Sequence, residues 1–290
     1  MQHPDPSVPV PLAARLLLGR AAVQTIADDN GVDVLHIKGN AVDSSLRASS
    51  TVGTDIDILI PPAQTERLHR ALLTHGWTVY SSFAWGSPFE HAQTYLHETW
   101  GYLDVHRWFP GIRLDAERAF TRLSSDSREV DFAGVRGRVP GTSAQAALLL
   151  LNAARGGGID DVRAIWTDAA PERRRAIEQV IDDLDARVAF SVATGTLEDH
   201  RHERDYRLWK VISEGGSRTA EWRARVRAAP TFRQAVRIAV RAPLVNVEHL
   251  THRLGRPPTR REVTAEFFAR AAQAIRVGLP RKSSRQEARG

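Results

Sequence analysis

The stretch that most constrains this chain is Thr54-Asp55-Ile56-Asp57-Ile58-Leu59-Ile60-Pro61, two carboxylates alternating with aliphatic residues and stopped by a proline pair. Alternation at period two is the pattern of a half-buried β-strand, so Asp55 and Asp57 are expected to leave one face while Ile56, Ile58 and Ile60 leave the other. Neighbouring carboxylates on one face repel each other, and either full exposure to water or a divalent cation between them relieves the repulsion. The cation is the expectation, because exposed strands favour Thr or Lys over paired Asp.

Two further stretches bring chemistry to that strand. In Tyr102-Leu103-Asp104-Val105-His106-Arg107-Trp108, period two sets Asp104 and His106 on one face and Leu103 and Val105 on the other. Upstream, the β-rich run from Val32 to Ile37 enters Lys38-Gly39-Asn40, followed by a short predicted helix from Ala41 to Arg47. A strand, a glycine turn and a helix present backbone N–H groups that suit a phosphate, and Lys38 adds a positive charge there.

The remaining pattern divides the chain. A helix is expected from Pro11 to Asp29, a Ser/Thr-rich loop over 49–54, a helix from Ala63 to His75, and β-rich runs at 78–83, 91–98 and 102–109. A hairpin over Val130–Val139 turns at Ala133-Gly134. Beyond Pro140 the texture is helical, at 143–155, 160–169, 172–193, 198–212 and 220–241, with one more helix over 261–277. The expected organisation is a mixed-sheet domain over 1–140, a helical domain over 141–242, and a basic segment over 243–290 whose last ten residues read as disordered.

Composition narrows the classes. The 290-residue chain has no cysteine, which removes disulfides, thiolate metal sites and a cysteine nucleophile. The N-terminus lacks a basic region followed by an apolar run, and no segment stays apolar for the thickness of a bilayer, so the expectation is a soluble cytoplasmic protein. The net charge of +6 is unevenly spread: from residue 221 onward sixteen Arg or Lys face five Asp or Glu, an excess of +11 that leaves the first 220 residues at −5. Arg233, Arg237 and Arg241 recur at i, i+4, i+8 beside Phe232, Val236 and Val240, a basic amphipathic pattern that suits RNA, a membrane surface or another anionic partner. His91, His97 and His106 lie on separate runs without close ligand spacing, which argues against zinc.

Lys-Gly on a turn, Asp-x-Asp on a strand some fifteen residues later, and a single Asp on another strand form the order of the nucleotidyltransferase superfamily. The chain resembles a family of uncharacterised nucleotidyltransferases related to the polymerase-β-like fold, through Leu35-His36-Ile37-Lys38-Gly39, Asp55-Ile56-Asp57-Ile58-Leu59-Ile60 and Leu103-Asp104-Val105-His106-Arg107-Trp108. The resemblance spans roughly residues 32–170. It implies an α+β fold, a mixed sheet followed by a helical domain, and transfer of a nucleotidyl group from a nucleoside triphosphate (ATP or another NTP) to an acceptor. It also implies two Mg²⁺ ions held by Asp55, Asp57 and Asp104, with the triphosphate held by Lys38 and the Gly39-Asn40 backbone and His106 orienting Asp104 or touching substrate. Two other readings remain open: a toxin-like transferase acting on tRNA or protein, supported by the basic C-terminus, and a catalytically inactive module that binds nucleotide or nucleic acid.

Overall fold

A computed structural model describes residues 10–47, 53–84, 89–156, 162–241, 244–245 and 247–278. The expected loop over 49–54 lies mostly outside them, as do Trp85 and the final ten residues.

The first helix, α1 (Leu12–Asp29), starts after Pro11 and stops at Asn30-Gly31, where Gly31 takes φ +59°. Proline just ahead of a helix and glycine just past it are the positions where each residue's backbone preference costs least. Strands β1 (Leu35–Ile37), β2 (Ile56–Leu59), β3 (Thr78–Ser81), β4 (Ala92–His97) and β5 (Gly101–His106) form one mixed sheet in the order β1-β2-β5-β4-β3. β2 and β5 run parallel and every other pairing is antiparallel. Between β2 and β3 lies α2 (Thr65–Thr74); after β5 come α3 (Ala116–Ser124) and the hairpin β6 (Arg128–Phe132) and β7 (Val135–Val139). The hairpin turns at Ala133 and Gly134, both at positive φ (54° and 88°), as a two-residue turn matched to strand twist requires.

The alternation of β2 is as expected, but the strand is buried on both faces rather than one. Ile56, Ile58 and Ile60 pack with Leu16, Val23 and Ile26 of α1 and Leu68 and Leu72 of α2. Leu59, with Leu35 and Ile37 of β1, enters a second cluster with Leu148 and Leu151 of α4 (Thr142–Ala153) and Ile177 and Ile181 of α5 (Pro171–Asp183). Helices on both sides are the usual cover for a sheet with a parallel pair at its centre.

Several predicted helices are cut shorter. The helix expected over 41–47 is two 3₁₀ turns, Gly39–Ala41 and Ser44–Leu46, so no α-helix N-terminus follows the glycine turn. The run over 172–193 breaks at Asp185 (φ 50°) into α5 and α6 (Arg187–Thr194). Residues 198–212 give a 3₁₀ turn, Leu197–His200, and α7 (Tyr206–Ser213). Of the helix expected over 160–169, residues 160–161 lie outside the described ones, and the rest holds a π-helical turn, Arg163–Thr167. The run over 220–241 divides at Pro230, which cannot continue a helix and holds Ala229 extended (ψ 127°), into α8 (Arg218–Ala228) and α9 (Phe232–Arg241).

By packing, the chain separates into two compact units, 1–215 and 216–290. Pro140 is a turn inside the first unit, whose later helices complete the sheet's second core. The second unit holds α8, α9, α10 (Val247–Leu254) and α11 (Arg260–Gly278). None of the described helices is long and apolar enough to cross a membrane.

Candidate active site

The parallel register of β2 and β5 sets Asp57 directly opposite Asp104 and Leu59 opposite His106. Side chains at paired positions of neighbouring strands leave the same face, so a carboxylate from each strand stands at the sheet's centre. His106 reaches back across the pair, its Nε2 2.9 Å from Asp57 Oδ1. From the end of β1, Lys38 donates from Nζ to the same oxygen at 2.7 Å. On the other flank, Thr94 of β4, paired with Asp104 in register, donates its hydroxyl to Asp104 Oδ1 at 2.6 Å. Four strands thus contribute to one corner.

Burial and charge divide the two acids. Burial alone would raise Asp57, but the Lys38 ammonium and the His106 hydrogen bond overcome it and hold its carboxyl well below the usual range. No cation among the described residues bonds Asp104 directly, and burial followed by the Asp57 charge pushes it up to about 6. His106 is brought down to about 4 by burial and then by Lys38, against the pull of Asp57. It is neutral near pH 7, and its Nε2–H donates to Asp57.

Asp55 precedes the strand, half-buried beside Gly53, whose Cβ, were there one, would come 3.9 Å from Asp55 Oδ1. Burial and then the Asp57 charge raise its carboxyl. Among the described residues, the donors that could share one ion are Asp57, Asp104 and His106, whose ligand atoms all lie within 4.8 Å of one another; Asp55 is outside that group. Two carboxylates of opposite titration behaviour, one of them paired with an ammonium, are the oxygen donors that suit a hard divalent cation such as Mg²⁺ or Mn²⁺. Lys38 is at φ 53° and Gly39 at φ 46°, so the turn is left-handed at both residues. Asn40 lies in the 3₁₀ turn that follows.

Sequence reasoning left out four participants. Arg20 of α1 is fully buried beneath the turn and donates to the carbonyl oxygens of both Lys38 and Asp57. Its bonded neighbour His36 is buried too, while Thr94 orients Asp104. Arg155, just past α4, lies 3.3 Å through Nη1 from His91 Nε2, and the His91 ring stands 5.1 Å from that of His106. The Asp57 and Asp104 charges act favourably on Arg155, against a larger lowering by burial. The one local signal was Arg20 itself, spaced four residues from Leu16 and from Gln24 on the buried stripe of α1. His97, by contrast, packs between Trp77 and Trp100, away from this corner.

No family model matches the chain, and neither does any curated protein. Among solved structures, the chain is similar to the antibiotic-resistance factor ANT(2'')-Ia in solution, at 17% identity and a TM-score of 0.38, covering 64% of this chain and 96% of that one. ANT(2")-Ia in complex with adenylyl-2"-tobramycin gives 16% identity and a TM-score of 0.38, with 63% and 98% covered. Lincomycin-bound LnuA, a lincosamide antibiotic adenylyltransferase, gives 17% identity and a TM-score of 0.34, with 56% and 94% covered.

Proposed function

We propose that the chain is a divalent-metal-dependent nucleotidyltransferase, which moves a nucleotidyl group from a nucleoside triphosphate to an acceptor hydroxyl, phosphate or amine. The observation that carries this reading is the pairing of Asp57 with Asp104 across two parallel strands, with the Lys38 ammonium at 2.7 Å from the first. Asp57 and Asp104 would hold Mg²⁺, and Asp55, within electrostatic reach of Asp57, would contribute to a second ion. When bound, such ions neutralise charge on the reacting phosphate and stabilise the attacking and leaving oxygens.

The chain's own residues supply the rest. Lys38 and the Gly39-Asn40 backbone hold the phosphates. Asp104 is held by Thr94 on one oxygen, which leaves the other for the ion that would activate the acceptor hydroxyl. His106, neutral and hydrogen-bonded to Asp57, keeps that carboxylate turned toward the corner.

A second reading, a macromolecular acceptor such as tRNA or a protein, is favoured by α9. That helix carries Arg233, Arg237 and Arg241 beside Phe232 and Val240, which are 84% and 62% exposed. Incubating the protein and Mg²⁺ with α-labelled nucleoside triphosphates and size-fractionated cell extract tests both. Label on small molecules supports the first acceptor class, and label on RNA or protein the second. No transferred label in any fraction, with an authentic transferase positive in parallel, counts against the enzyme.

A further inference from the structure

Arg20 is 0% exposed, and none of the salt bridges among the described residues includes it. Its fork is spent on the underside of the site. Nη1 donates to Asp57 O at 3.3 Å and to His36 Nδ1 at 3.2 Å, and Nη2 donates to Lys38 O at 3.2 Å. His36 completes the arrangement by donating from Nε2 to Gln24 Oε1 at 3.0 Å, which leaves Nδ1 as the acceptor that Arg20 needs. Gln24 in turn donates to Asp28 Oδ1 at 2.7 Å. A line of hydrogen bonds thus runs along α1 and ends on two backbone carbonyls, those of the residues that meet in the corner.

This is a costly way to fill space. A guanidinium taken out of water loses solvation that Leu or Met at the same place would not, and the charges of Asp57 and Asp55 offset that loss only in part. The benefit lies in the turn. Lys38 holds φ 53° and ψ −172°, a backbone state that is strained for a non-glycine residue and persists only where its surroundings hold it. Two donors meet the Lys38 carbonyl, Arg20 Nη2 at 3.2 Å and the Ala41 N–H of the following 3₁₀ turn at 3.1 Å, and of the two only Arg20 ties it to the Asp57 strand. Gly39 closes in behind: a Cβ there would lie 3.1 Å from Arg20 Nη2.

We propose that Arg20 is a positioning residue: it pins the Lys38–Gly39 peptide and the Asp57 strand to one another, so that the Lys38 ammonium stands over Asp57 instead of turning away. The consequence for phosphate binding rests on the reading of Lys38 given above, whereas the placement of Lys38 does not.

The sequence makes the test direct, since the chain has three lysines, Lys38, Lys210 and Lys282. Protein labelled with ¹³C at lysine Cε gives three signals, and Lys38→Arg identifies the one of interest. Arg20→Met keeps the apolar volume, and Arg20→Lys keeps the charge but loses the fork. Each is checked for a cooperative melt. In either folded variant the Lys38 signal is expected to move to the position of a free lysine while that of Lys210 stays, and Mg·ATP affinity is expected to fall about tenfold, the worth of one misplaced charge-assisted contact. Should neither variant fold, Gln24→Leu breaks the line one step back by removing the acceptor of His36 Nε2, and a smaller movement of the Lys38 signal in the same direction is expected. A folded variant with Lys38 unmoved overturns the proposal. Wild-type protein that binds no Mg·ATP sinks the enzymatic reading alone, because the lysine signal still decides what Arg20 does.

Discussion

Lys38 Nζ stands 2.7 Å from Asp57 Oδ1 and 3.5 Å from His106 Nε2, so a cation of the chain's own stands against two of the three ligand residues. Asp57 is 3% exposed and carries its charge because of that neighbour.

Lys38→Met leaves Asp57 buried without its counter-charge. Breaking a buried pair from one side costs roughly 3–5 kcal/mol, and partial exposure of Lys38 brings the expectation here to about 2–4 kcal/mol. Urea unfolding in EDTA measures it. Added Mn²⁺ should then raise the melting temperature of the variant more than that of the wild type, because the ion restores the missing positive charge. Equal stability in EDTA, or equal ion effects, would contradict the role given to Lys38.

Thr94→Val removes the hydroxyl that donates to Asp104 Oδ1. A hydrogen bond to the ionised form lowers a carboxyl pKa, so its loss should raise Asp104 above its present value of about 6. Carboxyl ¹³C NMR through a pH titration of metal-free protein reads the change. A midpoint that stays in place would mean that Thr94 does not orient the acid.

Stability should also depend on pH through the buried histidines. Burial comes first in lowering all three, followed by Arg20 for His36, by His106 for His91 and by Lys38 for His106. The unfolded chain regains the ordinary value of 6.5 for each and so binds more protons than the folded one below that pH; folding stability therefore falls as pH drops through it. Asp104, raised from 3.8 to about 6, works in the opposite direction, its contribution being present at low pH and lost as pH rises through 6. Asp55, raised as well, joins it. Above pH 6 the histidines act almost alone, and below it three oppose two. Urea midpoints in EDTA should rise from pH 5.5 to 7.5, each histidine contributing a slope of up to about 1.4 kcal/mol per pH unit. A flat or falling profile would show that these rings take up protons within the fold.

The core shared by Leu35, Ile37, Leu59, Leu148, Leu151 and Ile177 predicts where the first unit can be cut. A fragment ending at Pro140 uncovers one whole face of β1 and β2 and should give no cooperative melt. A fragment ending at Gly215 should melt cooperatively. The opposite pattern would place the boundary at the change of texture instead.

The strands and the acids were legible because their signals are local. Period two placed Asp57 beside Ile56 and Ile58, and Asp104 beside His106, and a glycine after Lys38 marked the turn. What covers a strand is not local. Leu59 and Ile37 gave no sign that α4 and α5 lie over them, so the change at Pro140 read as a domain boundary when it marks the second half of one core. Arg20 was hidden for the same reason: thirty-seven residues separate it from Asp57, and only the packing of α1 against β2 brings it beneath the turn. The basic excess beyond residue 221 was visible in the sequence, and the structure adds that Phe232 and Val240 are exposed within it.

Whether the Asp57–Asp104 corner binds a metal-nucleotide is decided by calorimetry. Nucleoside triphosphate is titrated into wild type, Asp57→Asn and Asp104→Asn, each with Mg²⁺ and with EDTA. Binding by the wild type is expected to require Mg²⁺ and to be lost in both variants while their melts stay cooperative. Nucleotide binding that is indifferent to Mg²⁺ and to both substitutions, or no binding by the wild type at all, would contradict that expectation.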